Sequence, residues 1–268
     1  MLNMDFGKRV RMRRLQRHEQ GRMLVVPLDH SVTDGPVTGG RRVNQLVGQI
    51  AAGGADAVVL HKGALRYVDP AWFDTMALIV HLSASTIHAP DPDAKYLVGT
   101  ASEALDLGAD AVSVHLNVGS LTEARQVADL ARVAADCSRL NLPLMAMVYP
   151  RGPKVTNPKD PELIAHSAIL AADLGADLVK AVHPGSEEAM AQITQACPVP
   201  VIVAGGPAKD PAALEAYVLA ALRGGAAGVA CGRSVFESPD PLSVVRDLSR
   251  VIHARVADEL PRLSAVTV

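Results

Sequence analysis

Apolar runs recur along the chain at a steady interval, and four of them share one opening. Gly54-Ala55-Asp56, Gly108-Ala109-Asp110 and Gly175-Ala176-Asp177 each close a helical pattern and precede an apolar run; Gly225-Ala226-Ala227 is a weaker fourth copy. A glycine just past the last helical residue suits the left-handed position that ends a helix, so each copy marks a passage from helix to strand. Four further apolar runs lie between them: Met23 to Leu28, Met76 to Leu82, Leu142 to Val148, and Val199 to Ala204. The pattern predicts eight strands. The segments Arg42 to Ala52, Leu121 to Cys137, Pro161 to Leu174, Ser186 to Ala196 and Pro211 to Arg223 carry helically spaced apolar residues and good helix formers. Asp160-Pro161 and Asp210-Pro211 each read as a capping carboxylate followed by a proline in the first helical position.

Strands alternating with helices, without a break in composition, predict an α/β fold, a closed (β/α)8 TIM barrel in a single domain. An open doubly wound sheet is the alternative, and no G-x-G-x-x-G follows the first strand to support a dinucleotide-binding version. The arrangement divides the chain into an N-terminal helical extension, residues 1–22, and a barrel, residues 23–268. The Arg-rich extension contains Asp5 and Glu19, which argues against a transit peptide and for a basic helix closing one end of the barrel.

Composition narrows the picture. Of 268 residues 49% are hydrophobic but only 3% aromatic, so the core is aliphatic, as suits a parallel sheet covered by helices. A net charge of −2 gives nothing to suggest bulk nucleic-acid binding. Cys137, Cys197 and Cys231 are scattered and odd in number, which argues for a reducing, cytoplasmic setting over a disulfide framework. No apolar run reaches the length of a membrane span.

In a barrel of this kind the chemistry sits at the C-terminal ends of the strands. Those ends read Asp29-His30, His61-Lys62, Ser83, His115 to Asn117, Tyr149-Pro150-Arg151, Lys180 to His183, Gly205-Gly206 and Gly232-Arg233. Side-chain alternation places Val25 and Pro27 beneath Asp29, Met145 and Met147 beneath Tyr149, and Leu178 beside Val182 around Lys180. A carboxylate, a phenol and an amine can therefore converge above an apolar plug. Of the lysines only Lys62 and Lys180 fall on strands, and Lys180 lies deeper. A buried amine is held toward its neutral, nucleophilic form and can make a Schiff base with a carbonyl; a lysine at a strand end can instead extend its head to water. Gly205-Gly206-Pro207 and Gly232-Arg233-Ser234, the latter opening a short helix, make a phosphate site after the last two strands. The strand-end histidines His30, His61, His81, His115 and His183 show no close ligand spacing, so no metal is expected.

Pro27-Leu28-Asp29-His30, Tyr149-Pro150-Arg151-Gly152, the Lys180 strand, Ala204-Gly205-Gly206-Pro207 and Gly232-Arg233 together resemble the archaeal-type class I aldolases, a group with fructose-bisphosphate aldolases and 2-amino-3,7-dideoxy-D-threo-hept-6-ulosonate synthases. The stretch Met147 to Lys154 looks most like the aspartate-semialdehyde-condensing branches. The resemblance implies Lys180 as the Schiff-base lysine, Tyr149 as proton donor and Asp29 as general acid/base. It implies Gly205, Gly206, Gly232 and Arg233 around a phosphate; by position alone, His30, Arg151 and Lys154 are candidates for gripping the acceptor. It also implies a homo-oligomer, often a decamer, and no external cofactor, because the lysine is the electron sink. The expected reaction joins a phosphorylated ketose- or triose-derived enamine (dihydroxyacetone phosphate or 6-deoxy-5-ketofructose 1-phosphate) to L-aspartate semialdehyde, toward aromatic or aminohydroxybenzoate compounds. Fructose-bisphosphate aldolase is the alternative, and a non-catalytic sugar-phosphate-binding barrel a lesser one. Ala181-Val182-His183 departs from the more polar or aromatic run of sugar-bisphosphate aldolases, and this departure bears on the acceptor pocket.

Overall fold

The computed structural model describes residues 5–36, 38–205 and 210–254. Eight parallel strands close into a barrel: β1 Met23–Pro27, β2 Ala57–Leu60, β3 Ala77–His81, β4 Ala111–Val118, β5 Leu144–Pro150, β6 Leu178–Ala181, β7 Val201–Ala204 and β8 Gly228–Ala230. Each pairs with its neighbours in chain order, and β1 closes the ring against β8 through Met23↔Gly228 and against β2 through Val25↔Ala57. The four repeat glycines sit where the pattern placed them, at φ +91° (Gly54), +82° (Gly108), +101° (Gly175) and +83° (Gly225). Asp160 and Asp210 cap their helices by accepting Glu162 N–H at 3.0 Å and Ala213 N–H at 2.8 Å.

Burial splits by side-chain parity. Odd positions on β1 to β5 and even ones on β6 and β7 form an inner cluster that includes Met23, Val25, Ala57, Val59, Met145, Met147, Tyr149 and Leu178. The opposite parity, with Leu24, Val26, Val58 and Val179, packs against the helices. Alternation in a strand buried on both faces requires this division. The expected set beneath Tyr149 and around Lys180 is therefore inside the barrel.

The repeat aspartates do more than mark junctions. Asp56, Asp110 and Asp177 each accept a backbone N–H of the preceding strand in the ring: Leu24 at 2.7 Å, Leu78 at 3.0 Å and Leu144 at 2.9 Å. Their remaining oxygens take basic side chains of the N-terminal segment, with Arg17 Nε at 2.8 Å from Asp56, Arg14 at 2.8 Å from Asp110, and Lys8 Nζ at 2.9 Å from Asp177 Oδ1. The helix Phe6–Leu15 thereby closes the N-terminal end of the barrel, inserting Met12 and Leu15 into the inner cluster. It is shorter than the expected extension and not cleanly two-faced, since Phe6 and Val10 are exposed.

Several elements lie outside the sequence expectation. Ser83–Ala84 pairs antiparallel with Tyr96–Leu97 after β3. Two 3-10 turns, Ala64–Tyr67 and Pro70–Asp74, replace the helix after β2, and Pro241–His253 forms a final helix. Strand β5 runs on through Tyr149 and Pro150, and β2 stops at Leu60. Lys62 is consequently off the strand, and its Nζ pairs with Glu103 at 3.0 Å on the exterior.

Candidate active site

Lys180 is the third residue of β6, in register with Met147 on β5. Its side chain is buried, its Nζ lies 3.9 Å from Met147 Sδ and 6.0 Å from the Tyr149 ring centre, and among the described residues it forms no ion pair. The alternative of a lysine reaching out to water is thus excluded by its burial. A buried amine beside a thioether, without a carboxylate holding it, is free to approach a carbonyl carbon.

Asp29 follows β1 and precedes the short helix His30–Thr33, but its side chain makes no capping bond. It turns toward the barrel mouth, with Oδ2 at 3.8 Å from His81 Nε2 and Oδ1 at 3.8 Å from His30 Nδ1. Burial alone would raise its pKa, yet His81, His30, Lys180 and His61 outweigh burial and hold the carboxyl well below its usual range. Burial pushes the imidazoles of His30 and His61 down and that of His81 down to about 4. Asp29 is therefore an ionised carboxylate at neutral pH. Asp29 Oδ1 and His30 Nδ1 are both buried without a hydrogen-bond partner, an arrangement that a bound polar ligand would satisfy.

Tyr149 faces the same space from β5. Its hydroxyl has no hydrogen-bond partner among the described residues, so it is not an ordinary packed tyrosine tied to backbone. The edge of His115 meets its ring at 4.9 Å, and the Arg151 guanidinium lies 5.1 Å from the ring centre. His115 is set by Asn117 (Nε2 to Oδ1, 2.8 Å), and Asn117 Nδ2 donates to the Asp93 carbonyl at 2.8 Å. His115 and Asn117 sit within β4, not past its end, so this chain of contacts is anchored in the sheet. The turn after Arg151 needs Gly152, at φ +153°, because a Cβ there would overlap the Gly119 carbonyl.

On the opposite wall, Gly205 follows β7 and Gly232 follows β8. A Cβ on Gly205 would come within 2.8 Å of Cys231 Sγ, and one on Gly232 within 2.8 Å of the Pro27 carbonyl and 2.9 Å of the His30 ring. Arg233 opens the four-residue helix Arg233–Phe236 and is exposed beside them. Gly206 lies outside the described residues. His183 is buried beyond β6, accepts Gly185 N–H at 3.0 Å and packs on Tyr217 at 5.0 Å. Lys154 is exposed, with no contact to these groups.

Two features were missed in the sequence. Tyr217, on the helix Pro211–Arg223, donates its hydroxyl to the Ala204 carbonyl at the end of β7. Lys95, in the segment joining the antiparallel pair, is buried and donates to Ser85 Oγ at 2.9 Å and to the Pro92 carbonyl at 3.1 Å. The group of potential metal ligands His18, Asp56 and His253 lies at the N-terminal end of the barrel, remote from Lys180.

A buried, unpaired lysine on β6 of such a barrel, faced by a tyrosine and a carboxylate, is the arrangement of a Schiff-base aldolase, and the model of DeoC/LacD family aldolases matches residues 23–238. The chain belongs to the DeoC/LacD aldolase family. It is a class I aldolase. This aldolase is 57% identical over 252 residues to a 2-amino-4,5-dihydroxy-6-oxo-7-(phosphonooxy)heptanoate synthase of Streptomyces griseus, covering 94% of this chain and 92% of that one. It is 40% identical over 250 residues to a 2-amino-3,7-dideoxy-D-threo-hept-6-ulosonate synthase of Halobacterium salinarum, covering 93% and 92%. Its fold matches that of an archaeal fructose 1,6-bisphosphate aldolase with a TM-score of 0.82 at 29% identity, over 91% of this chain and 99% of that one. Another solved structure of an archaeal fructose-1,6-bisphosphate aldolase, with its catalytic lysine covalently bound to the carbinolamine intermediate, matches with the same TM-score at 28% identity.

Proposed function

We propose that this aldolase condenses dihydroxyacetone phosphate with L-aspartate semialdehyde to give a seven-carbon amino-keto acid phosphate. The observation that carries the reading is the unpaired, buried Lys180 between Tyr149 and Asp29. The substrate pair follows from the product named for the Streptomyces griseus relative. Disconnecting that product between its two hydroxyl-bearing carbons leaves dihydroxyacetone phosphate on one side and aspartate semialdehyde on the other. The same disconnection of the Halobacterium product leaves an unphosphorylated donor fragment, so the greater identity to the first relative favours the phosphorylated triose.

The chain's own residues suit each step. The Lys180 amine adds to the ketone carbon, and loss of water gives an iminium. Loss of a proton from the hydroxymethyl carbon turns the iminium into an enamine, with the carbon–hydrogen electron pair moving toward the nitrogen. The enamine carbon attacks the aldehyde carbon, the aldehyde oxygen takes a proton, and water adds back to release the lysine. Asp29, ionised and close enough to act on Lys180, stabilises the cationic iminium and accepts protons; Tyr149, its hydroxyl uncommitted, donates them. Gly205, Gly206, Gly232 and Arg233 hold the donor phosphate, with Arg233 supplying charge and Gly205 and Gly232 leaving the backbone open to it where a Cβ would crowd. His30, beside Asp29, and Arg151, over Tyr149, face the bound substrates. The assembly is a homo-oligomer on this reading, and the buried free thiols Cys137, Cys197 and Cys231 suit a reducing cytoplasm.

A matrix of donors and acceptors, read by product mass, tests the proposal. The expected product arises from dihydroxyacetone phosphate with aspartate semialdehyde. Efficient turnover with glyceraldehyde 3-phosphate, and none with aspartate semialdehyde, would replace this reading by fructose-bisphosphate aldolase.

A further inference from the structure

Among the described residues three lysines are buried: Lys8, Lys95 and Lys180, at 8%, 6% and 6% exposure. Burying an ammonium without a counter-charge is costly, so each needs a reason. Lys8 has one, a carboxylate of Asp177 at 2.7 Å. Lys180 is the nucleophile. Lys95 has no carboxylate in ion-pair contact among the described residues; its partners are the neutral Ser85 hydroxyl and Pro92 carbonyl.

Its place is fixed. The segment carrying it is tied to the barrel by Asn117 Nδ2 and Gln126 Nε2, which both donate to the Asp93 carbonyl, at 2.8 and 3.0 Å. Asn117 in turn sets His115 against Tyr149. Lys95 thus stands over β3 and β4, across the barrel from Gly205, Gly232 and Arg233. Its charge reaches His115 and His81, and Arg151 is close enough to act on it. Burial and then Arg151 push the Lys95 ammonium down, while Asp93, Asp34 and Asp29 pull the other way.

We propose that Lys95, with Arg151, forms the subsite for the carboxylate of the amino-acid aldehyde acceptor. This deepens the substrate assignment above and rests on it. An ammonium has three donors, and Lys95 already uses two on Ser85 and Pro92. The remaining donor suits one carboxylate oxygen better than a phosphate dianion, which the opposite wall serves with Arg233 beside the close-approach glycines. The acids near Lys95, Asp34 and Asp93, further disfavour a dianion and complement the acceptor's own ammonium group. The subsite distinguishes aspartate semialdehyde from a plain aldehyde by a charge-assisted hydrogen bond, an interaction worth about ten- to a hundredfold in binding.

The test compares wild type, Lys95→Gln and Lys95→Arg on three acceptors: aspartate semialdehyde, glyceraldehyde 3-phosphate and butanal, which has neither carboxylate nor amine. Borohydride trapping of dihydroxyacetone phosphate on Lys180 is read in parallel. In Lys95→Gln, kcat/KM for aspartate semialdehyde is expected to fall about ten- to a hundredfold, mainly through KM. Butanal turnover and donor trapping should stay within about threefold, and Lys95→Arg should recover part of the loss. Equal losses on aspartate semialdehyde and butanal would reduce Lys95 to a structural role and overturn the proposal. So would an unchanged KM, or a loss confined to glyceraldehyde 3-phosphate. If wild type traps the donor but ignores aspartate semialdehyde, the substrate assignment itself fails, and the subsite with it.

Discussion

The clasp between the N-terminal helix and the repeat aspartates gives a stability prediction with a definite size. Lys8 and Asp177 are 11% and 9% exposed at their side chains, so water screens their 2.7 Å contact little. Asp177→Asn keeps an oxygen to accept the Leu144 N–H but removes the charge, leaving a buried ammonium uncompensated. Removing one member of a buried pair costs about 3–5 kcal/mol. For a chain of this length each kcal/mol moves Tm by about 2 °C, so the variant should melt about 6–10 °C lower. The double variant Lys8→Met/Asp177→Asn has no stranded charge and should recover at least half of that loss. Thermal unfolding followed by circular dichroism at one scan rate reads all three. Donor trapping at 20 °C should be unaffected, because the pair closes the opposite end of the barrel from Lys180. A double variant as unstable as Asp177→Asn alone, or an Asp177→Asn protein that melts with wild type, would refute the reasoning.

Stability should also fall in mild acid. His81 stays neutral in the folded chain down to about 4, against 6.5 when unfolded, so the unfolded state binds the proton first. The stability this group contributes above pH 6.5 is lost as pH drops toward 4, on the order of 3 kcal/mol. His81→Asn should lose less stability between pH 7 and 4.5 by urea titration; an unchanged difference would disprove the assignment. Asn117→Ala removes the contact that sets His115 against Tyr149, and kcat should drop about tenfold or more with donor KM little changed. A change in donor KM alone would instead place Asn117 in binding. Gly205→Ala puts a methyl 2.8 Å from Cys231 Sγ, and donor KM should rise at least tenfold while butanal and aspartate semialdehyde keep their ratio; a shifted ratio would move Gly205 to the acceptor side.

The barrel was legible because its signals are local and repeated. A helix-ending glycine followed by a strand recurs at Gly54, Gly108, Gly175 and Gly225, and all four adopt the left-handed backbone that the pattern requires. The Lys180, Tyr149 and Asp29 trio was legible because strand parity fixes which side chains face inward, and the inner cluster follows that parity. The aspartates of the repeat were read only as punctuation. Their partners Lys8, Arg14 and Arg17 are distant in sequence, and nothing local says that a basic helix will fold under the barrel to meet them. Lys95 escaped notice for the same reason: it lies in a Pro- and Asp-rich segment after β3, and only the antiparallel pair Ser83–Ala84 with Tyr96–Leu97 turns that segment inward. Lys62 was placed on a strand, but that strand ends at Leu60 with the apolar run, which frees its side chain to meet Glu103 outside.

Everything in the account turns on which amine holds the substrate. Incubation with dihydroxyacetone phosphate and borohydride, followed by proteolysis and mass spectrometry, reads this directly. The expected result is one reduced triose phosphate adduct per chain, on Lys180, absent in Lys180→Met, which should also be inactive. An adduct on Lys95 or Lys62, or full activity in Lys180→Met, would contradict the central claim.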